Sequence, residues 1–517
     1  MPITALDAVL PALATDEGVA QRTAIYRHRH LTETGAVVLP FQIGGESFAL
    51  AGVMWGTARN APQILVVHDP RDRQEFYDQI LPFASWLDEE FNRWADDRDV
   101  RINDKGKIVS SVAKHAPQLV VPNAASAQLL GKVGRRLAYL GASKFSIDPM
   151  LISAGRHLLF LRQHLRVAGQ QLVVPLAQLL ADHWATPQTV AERLSLPALE
   201  AWINPPAGIH GFHAAEAAEV EVNVGPVPPG EHDEALFDLV SLRRKAKKRG
   251  DAAGVSRAEA DIETLWCDLM QPAWDLCWDS LARERTWTEA PSVAHRWTLD
   301  RREFSAHIDW QRAAGRRRLR PTPRQAAITQ SRLEQAHSTL ATEETTDDPL
   351  RMLPLVLRNE AIIGDVIRVD ISNRELSDKG QMRTYPLVTV ECAHASTMRP
   401  GKELWWAAAP GDSSWLVREV STTAAGTMLI TLRRSTSVTK NSRLPVAGAV
   451  EAFSILFVKD YAPLFPKEDA VPWTHRRADD SESPDLDAGS TNTEPNPTDA
   501  PTDTVEVIEF RDRGEVE

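Results

Sequence analysis

The chain has 517 residues, 43% hydrophobic and 25% charged, with three cysteines and a formal net charge of −12. That length exceeds a single hydrophobic core and predicts about two to four domains. The composition excludes a wholly disordered or fibrous chain, and a sparse, odd set of cysteines excludes a disulfide scaffold.

The opening Met1-Pro2-Ile3-Thr4 has no basic stretch leading into an unbroken apolar run, so it does not read as a secretory leader. The longest apolar segments are core-sized, too short to cross a bilayer. The expectation is a cytoplasmic protein without membrane contact. Residues 36–41, 47–55 and 63–67 read as strands, with Gly44-Gly45 as the turn between the first two. Asp69-Pro70 ends the third and opens a helix over 71–96. Its apolar stripe is Phe76, Ile80, Phe83, Leu87, Phe91 and Trp94. Pro82 inside that stripe predicts a kink or a split. Residues 97–116 read as a loop and 119–121 as a fourth strand. A helix carrying Leu129, Leu130, Val133 and Leu137 follows, then helices over 149–165, 175–183 and 187–202. Together these predict a mixed α/β domain over 1–215.

Pro226, Pro228 and Pro229 mark 216–232 as a linker. Residues 233–347 read as a helical, Arg-rich domain. Within it Trp266, Met270, Trp274, Cys277, Trp278 and Leu281 fall on one stripe, read as core, and Thr322-Pro323 has the form of a helix start. From about residue 353 the hydrophobic period changes to two. Strands over 366–371, 387–392, 403–407, 415–420, 428–433 and 449–457 predict a small β-barrel within 348–465. Residues 466–517, rich in Asp, Glu, Pro, Ser and Thr, predict an acidic disordered tail. One stretch of it, Val505-Glu506-Val507-Ile508-Glu509-Phe510, has the alternation of a strand that could add to a protein partner's sheet edge. The predicted class is therefore multi-domain α+β: mixed α/β domain, central helical domain, C-terminal small β-barrel and tail.

The sharpest charge feature is the cluster Arg312, Arg316, Arg317, Arg318, Arg320 and Arg324, just before a helix N-terminus. Arginine forks match phosphate oxygens bidentately, and helix N-termini favour anions. A second group holds Arg243, Arg244, Lys245, Lys247, Lys248 and Arg249. Either could equally be a solvated surface. In the barrel, Trp405, Trp406 and Trp415 lie near Arg399, Lys402, Arg433 and Arg434. Oligonucleotide-binding barrels stack bases on such aromatics, although core packing is the simpler reading for two of the three.

No catalytic residue is assigned. His210, His213 and Glu216 offer donors for a metal, but the H-E-x-x-H pattern is absent and a structural role is favoured. His68-Asp69 at a strand end is a plausible catalytic position, with helix capping by Asp69 as the alternative; Asp182-His183 is a weaker case of the same kind. There is no G-x-S-x-G elbow, P-loop or G-x-G-x-x-G fingerprint. Cys267, Cys277 and Cys392 read as buried thiols. No cofactor or metal is expected.

Three stretches resemble a family of bacterial proteins of unknown function: Val38-Leu39-Pro40-Phe41-Gln42-Ile43-Gly44-Gly45-Glu46, Leu130-Gly131-Lys132-Val133-Gly134-Arg135-Arg136-Leu137-Ala138-Tyr139-Leu140, and the motif from His210 to Glu216. The resemblance covers most of the chain except the tail and implies no activity. The order of strands and helices before residue 140 is similar to ribonuclease-H-like exonuclease folds. Those enzymes hold two metals with carboxylates, beginning with Asp-x-Glu on the first strand. Here that strand, Val37-Val38-Leu39-Pro40-Phe41, has no acid, so a shared fold implies lost catalysis. The β part, with Pro386-Leu387-Val388 and Gly401-Lys402-Glu403-Leu404-Trp405-Trp406, is similar to small barrels inserted in nucleic-acid helicases, without a motor motif.

The functional expectation is a non-enzymatic accessory protein that binds nucleic acid, or a separately encoded nucleic-acid enzyme, through the Arg-rich helices and the barrel. The alternatives are a divergent hydrolase or nuclease-like enzyme on the α/β domain, using His68, Asp69 or His213, and a protein-interaction scaffold.

Overall fold

The computed structural model describes residues 5–45, 49–140, 145–189, 194–315, 321–377, 379–394, 396–424, 426–439 and 442–458. The expected acidic tail, with its segment from Val505 to Phe510, lies outside the described residues, as do Arg316, Arg317, Arg318 and Arg320. Among the described residues no helix is long and apolar enough to cross a membrane.

The chain is mixed α/β and ends in a closed barrel. The main sheet has strands β1 (Ala36–Gln42), β2 (Leu50–Gly56), β3 (Gln63–Val66), β4 (Leu119–Val121) and β5 (Val173–Pro175). Their order is β3-β2-β1-β4-β5. The first three form an antiparallel meander, and β1, β4 and β5 run parallel. β1 and β2 are buried on both faces, as their unbroken apolar runs require. Ala36 and Val38 point into one core, and Val37, Leu39 and Phe41 into the other.

The first core lies under helices α1 (Leu81–Arg93), α2 (Ala124–Ala138) and α3 (Pro149–His164). The helix expected over 71–96 is indeed split: Arg73–Gln79 ends at Ile80, and α1 begins with Pro82 in its first turn, where proline lacks no hydrogen bond. α2 and α3 pack very closely. A Cβ on Gly134 would collide with Leu158, and one on Gly155 with the backbone of Ala138. Gly155→Ala is therefore expected to destabilise the protein by about 1–3 kcal/mol. A urea titration showing no shift in midpoint would contradict this contact.

Helices of residues 233–347 share both cores with the sheet. α4 (Gly230–Arg249) and α5 (Ala252–Arg285) cover the second face, and α6 (Val293–Arg312) packs into the first. The predicted stripe Trp266, Met270, Trp274, Cys277, Trp278 and Leu281 is buried throughout, against Val37, Leu39, Phe41 and Met54. The segment read as a linker contributes Val224 to that core. Buried histidine–carboxylate pairs add polar links: His183–Glu284 at 2.9 Å, His164–Asp300 at 2.7 Å and His28–Asp348 at 3.3 Å. α7 (Pro323–Asp347) begins as expected, with Thr322 as N-cap, Pro323 in the first turn and Gln325 completing a capping box.

Three expectations are corrected. Residues 97–116 hold a hairpin, Arg98–Ile102 with Ile108–Ala113, closed by Asn103, whose Oδ1 accepts the N–H groups of Lys105 and Lys107. No strand was expected at β5, which directly precedes the helix expected over 175–183; that helix is present as Leu176–His183. The helix expected from 187 begins at Leu196, with Ser195 before it and Pro197 in its first turn.

The six expected C-terminal strands form the barrel: β6 (Ala361–Asp370), β7 (Leu387–Cys392), β8 (Glu403–Trp406), β9 (Ser414–Thr422), β10 (Met428–Arg434) and β11 (Val450–Ser454). Their order is β6-β7-β10-β9-β8-β11, closing back on β6, with every pair antiparallel. Closure leaves no free sheet edge. Six closed strands also distinguish it from the five-stranded, partly open oligonucleotide-binding barrel.

Candidate nucleic-acid interface

The last turns of α4 carry the first basic group, and Gly250 ends the helix at φ 71°, in the left-handed region that glycine adopts without strain. Two of its three arginines, Arg243 and Arg244, are committed to carboxylates. Arg243 is buried, with Nη2 2.6 Å from Glu75 Oε1 and 2.8 Å from Glu259 Oε1. Arg244 forks onto Asp69, with Nε and Nη2 each 2.7 Å from a carboxylate oxygen. Burial pushes the Asp69 carboxyl up, but the Arg244 guanidinium outweighs it and holds the carboxyl below its usual range. These contacts pin α4 to the loop after β3 and to the helix Arg73–Gln79. Lys247 leans toward Glu75 at 3.9 Å. Lys245, Lys248 and Arg249 are exposed. At spacings of three and four they share one outward face.

The second group is similarly divided. Arg312, at the end of α6, forks onto Asp96, with contacts of 2.6 and 3.2 Å. Beside it Arg98 forks onto Asp309 at 2.7 and 3.0 Å. These crossed pairs staple the hairpin's base to α6. Arg324 is half-buried in the first turn of α7 and is itself engaged. Thus Arg243, Arg244 and Arg312, named from sequence as phosphate ligands, are first of all anchors.

In the barrel, Trp406 and Trp415 are buried in the core. Trp405 faces outward and stacks on Phe457, with centroids 4.7 Å apart. Arg433 pairs with Glu375 at 2.8 Å and lies over the Tyr385 ring. Arg434 is buried against Asp412 at 2.8 Å. Arg399 and Lys402 line a shallow hollow beside Asn359 at one end of the barrel.

The residues weighed for catalysis are held in structural contacts. His68 lies between Gln79 and Glu263, at 2.6 and 3.1 Å. His210 caps the helix Gly211–Glu221: its Nδ1 accepts from the Phe212 N–H and its Nε2 donates to the Thr15 carbonyl. His213 stands exposed on that helix, 3.5 Å from Glu216. His183 is wholly buried on Glu284. The two-metal carboxylate set implied by the ribonuclease-H-like resemblance does not fit the residues present. β1 has no acid, and two residues past β4 stands Asn123, which caps α2 and donates to the Gly225 carbonyl. Among the described residues no group of three or more His, Cys, Asp or Glu is arranged to hold a metal ion.

Burial raises all three thiols, with Cys392 pushed up to about 11. They are therefore poor nucleophiles. No protein-family model, curated protein or solved structure matches the chain.

Proposed function

We propose that the protein is an accessory factor that binds nucleic acid, or a separately encoded nucleic-acid enzyme, through the end of α4 and the Arg-rich segment 312–324. The observation that carries this reading is the division of labour in the basic group of α4. Arg243 and Arg244 hold the helix on Asp69, Glu75 and Glu259, and the exposed Lys245, Lys248 and Arg249 are thereby fixed on one face. A held helix suits a polyanion, because little backbone freedom is lost on binding. The missing acid on β1 favours binding over cleavage.

The test is charge reversal. The triple variant Lys245→Glu, Lys248→Glu, Arg249→Glu should weaken binding to single-stranded or duplex oligonucleotides by about tenfold or more. The variant Arg316→Glu, Arg317→Glu, Arg318→Glu should do the same. Arg244→Glu is a poor probe because it breaks the anchor on Asp69. Wild-type affinity in both triple variants would refute the assignment.

A further inference from the structure

A cleft of about 630 Å³ opens at the β5 edge of the main sheet, where helices from the two faces part. Its volume lies within the range of about 300–1,000 Å³ usual for small-molecule sites. The start of α2, the end of α3, β5 and the helix Leu176–His183 form its walls, and Leu340 of α7 lies at its rim. Most of the lining is aliphatic, and two kinds of polar group on it bear on a ligand.

The first kind is cationic. Arg162 and Arg166 stand one turn apart at the end of α3, and neither meets a carboxylate among the described residues. Arg162 is placed by the close packing of α2 and α3. Its aliphatic stem lies across Gly131, where a Cβ would be 2.7 Å from its Cγ and Cδ. The one carboxylate on the wall, Asp182, is approached by Arg29 at 3.7 Å, and Arg29 also pairs with Glu344 at 3.1 Å. Neither Arg162 nor Arg166 is therefore paired with that carboxylate. The second kind is the half-buried amide of Gln178: its Oε1 has no hydrogen-bond partner and no exposed surface, so a ligand's donor meets it when the side chain turns toward the cleft. Such a group calls for an N–H or O–H donor.

An added peptide strand does not suit the cleft. The backbone N–H and C=O of Val173 on β5 are both taken by the Gln170 side chain, at 3.1 and 2.7 Å, so this part of the edge is already closed.

We propose that the cleft binds a phosphorylated nucleoside: the phosphate on Arg162 and Arg166, an amino or imino group of the base on Gln178, and the ring against the aliphatic wall. Arginine forks fit phosphate oxygens, and a base supplies both a flat apolar surface and edge donors. The ligand is either a free nucleotide or the phosphorylated end of a strand. The site is separate from the basic face of α4 and does not depend on the role proposed for it.

Calorimetric titration of the full chain with the four nucleoside 5′-monophosphates, their nucleosides, inorganic phosphate and a trinucleotide with or without a 5′-phosphate tests this. At least one monophosphate, or the 5′-phosphorylated trinucleotide alone, should bind. Monophosphate binding marks a free-nucleotide site, and binding of the trinucleotide alone marks a strand-end site. Affinity should fall by about tenfold or more in Arg162→Gln and in Arg166→Gln. Arg162→Gln keeps most of the stem over Gly131, and melting curves of both variants check folding. Lys245→Glu, Lys248→Glu, Arg249→Glu should leave monophosphate binding, and the gain in trinucleotide affinity from the 5′-phosphate, unchanged, so the two sites fail independently. No binding of any phosphorylated probe at millimolar concentration, binding unchanged in both arginine variants, or phosphate alone binding as well as the nucleotide would each overturn the proposal.

Discussion

Asp348→Ala is expected to cost about 3–5 kcal/mol of stability, because it removes a buried carboxylate that several buried donors share. Asp348 is wholly buried. Its Oδ2 accepts the backbone N–H groups of Ile25 and Tyr26, at 2.7 and 3.2 Å, and faces His28 Nε2 at 3.3 Å. Its Oδ1 caps the helix Pro349–Leu357 through the Leu350 N–H. One side chain therefore ties the chain near residue 25 to the helix that leads into the barrel. Alanine would strand several buried donors. The same contacts give a pH signature. Burial pushes the Asp348 carboxyl up, but hydrogen bonds from His28, Ile25, Tyr26 and Leu350 outweigh it and hold the carboxyl below its ordinary range. A depressed folded-state value means stabilisation that is present above the unfolded value, about 4, and is lost as pH falls through the folded one. The stability gap between wild type and Asp348→Asn, read from urea denaturation, should thus be widest near neutrality and shrink below about pH 4. A gap independent of pH would sink this account of the carboxyl.

Trp266→Ala should also cost about 3–5 kcal/mol. Trp266 is wholly buried and packs on Gly52, with Phe41 at 5.6 Å and the His232 ring edge-on at 4.5 Å. It thus joins α5 to β1, β2 and α4 in one contact. Its indole N–H is buried with no partner. Trp266→Phe removes that unsatisfied donor together with some volume, and should cost less than about 1.5 kcal/mol. If alanine and phenylalanine shift the urea midpoint equally, the packing role assigned to Trp266 does not hold.

Much of this architecture was legible in the sequence because it is periodic. The unbroken apolar run of β1, the stripe of α5 at spacings of three and four, the cap and proline that start α7 at Thr322-Pro323, and the period of two in the barrel strands are all local signals. Elements with weak periods were not legible. β5 has three residues inside an apolar run, and the 98–113 hairpin exposes much of both arms, so neither offers a clear pattern. In the hairpin the turn residues Asn103 and Gly106 were the available signal. The candidate interface was legible only as charge. What that charge does depends on carboxylates far along the chain: Asp69 and Glu75 are 175 and 168 positions from Arg244 and Arg243, and Asp96 is 216 positions from Arg312. No local reading separates an anchoring arginine from one free to bind. The same holds for the extent of the helical part. Its stripe was legible, but that the stripe faces β1 and β2 is a tertiary fact.

The most direct test of the proposed role is the salt dependence of binding between the full-length protein and labelled single-stranded and duplex DNA and RNA, followed by fluorescence anisotropy. Engagement of the three outward cations of α4 alone predicts that log affinity falls against log salt with a slope of about −2 for single strands and about −3 for duplex. Contacts from the Arg-rich segment would steepen it. Failure to bind any of the four at low salt, or an affinity that does not change with salt, would contradict the account and leave the basic groups as solvated and anchoring charge.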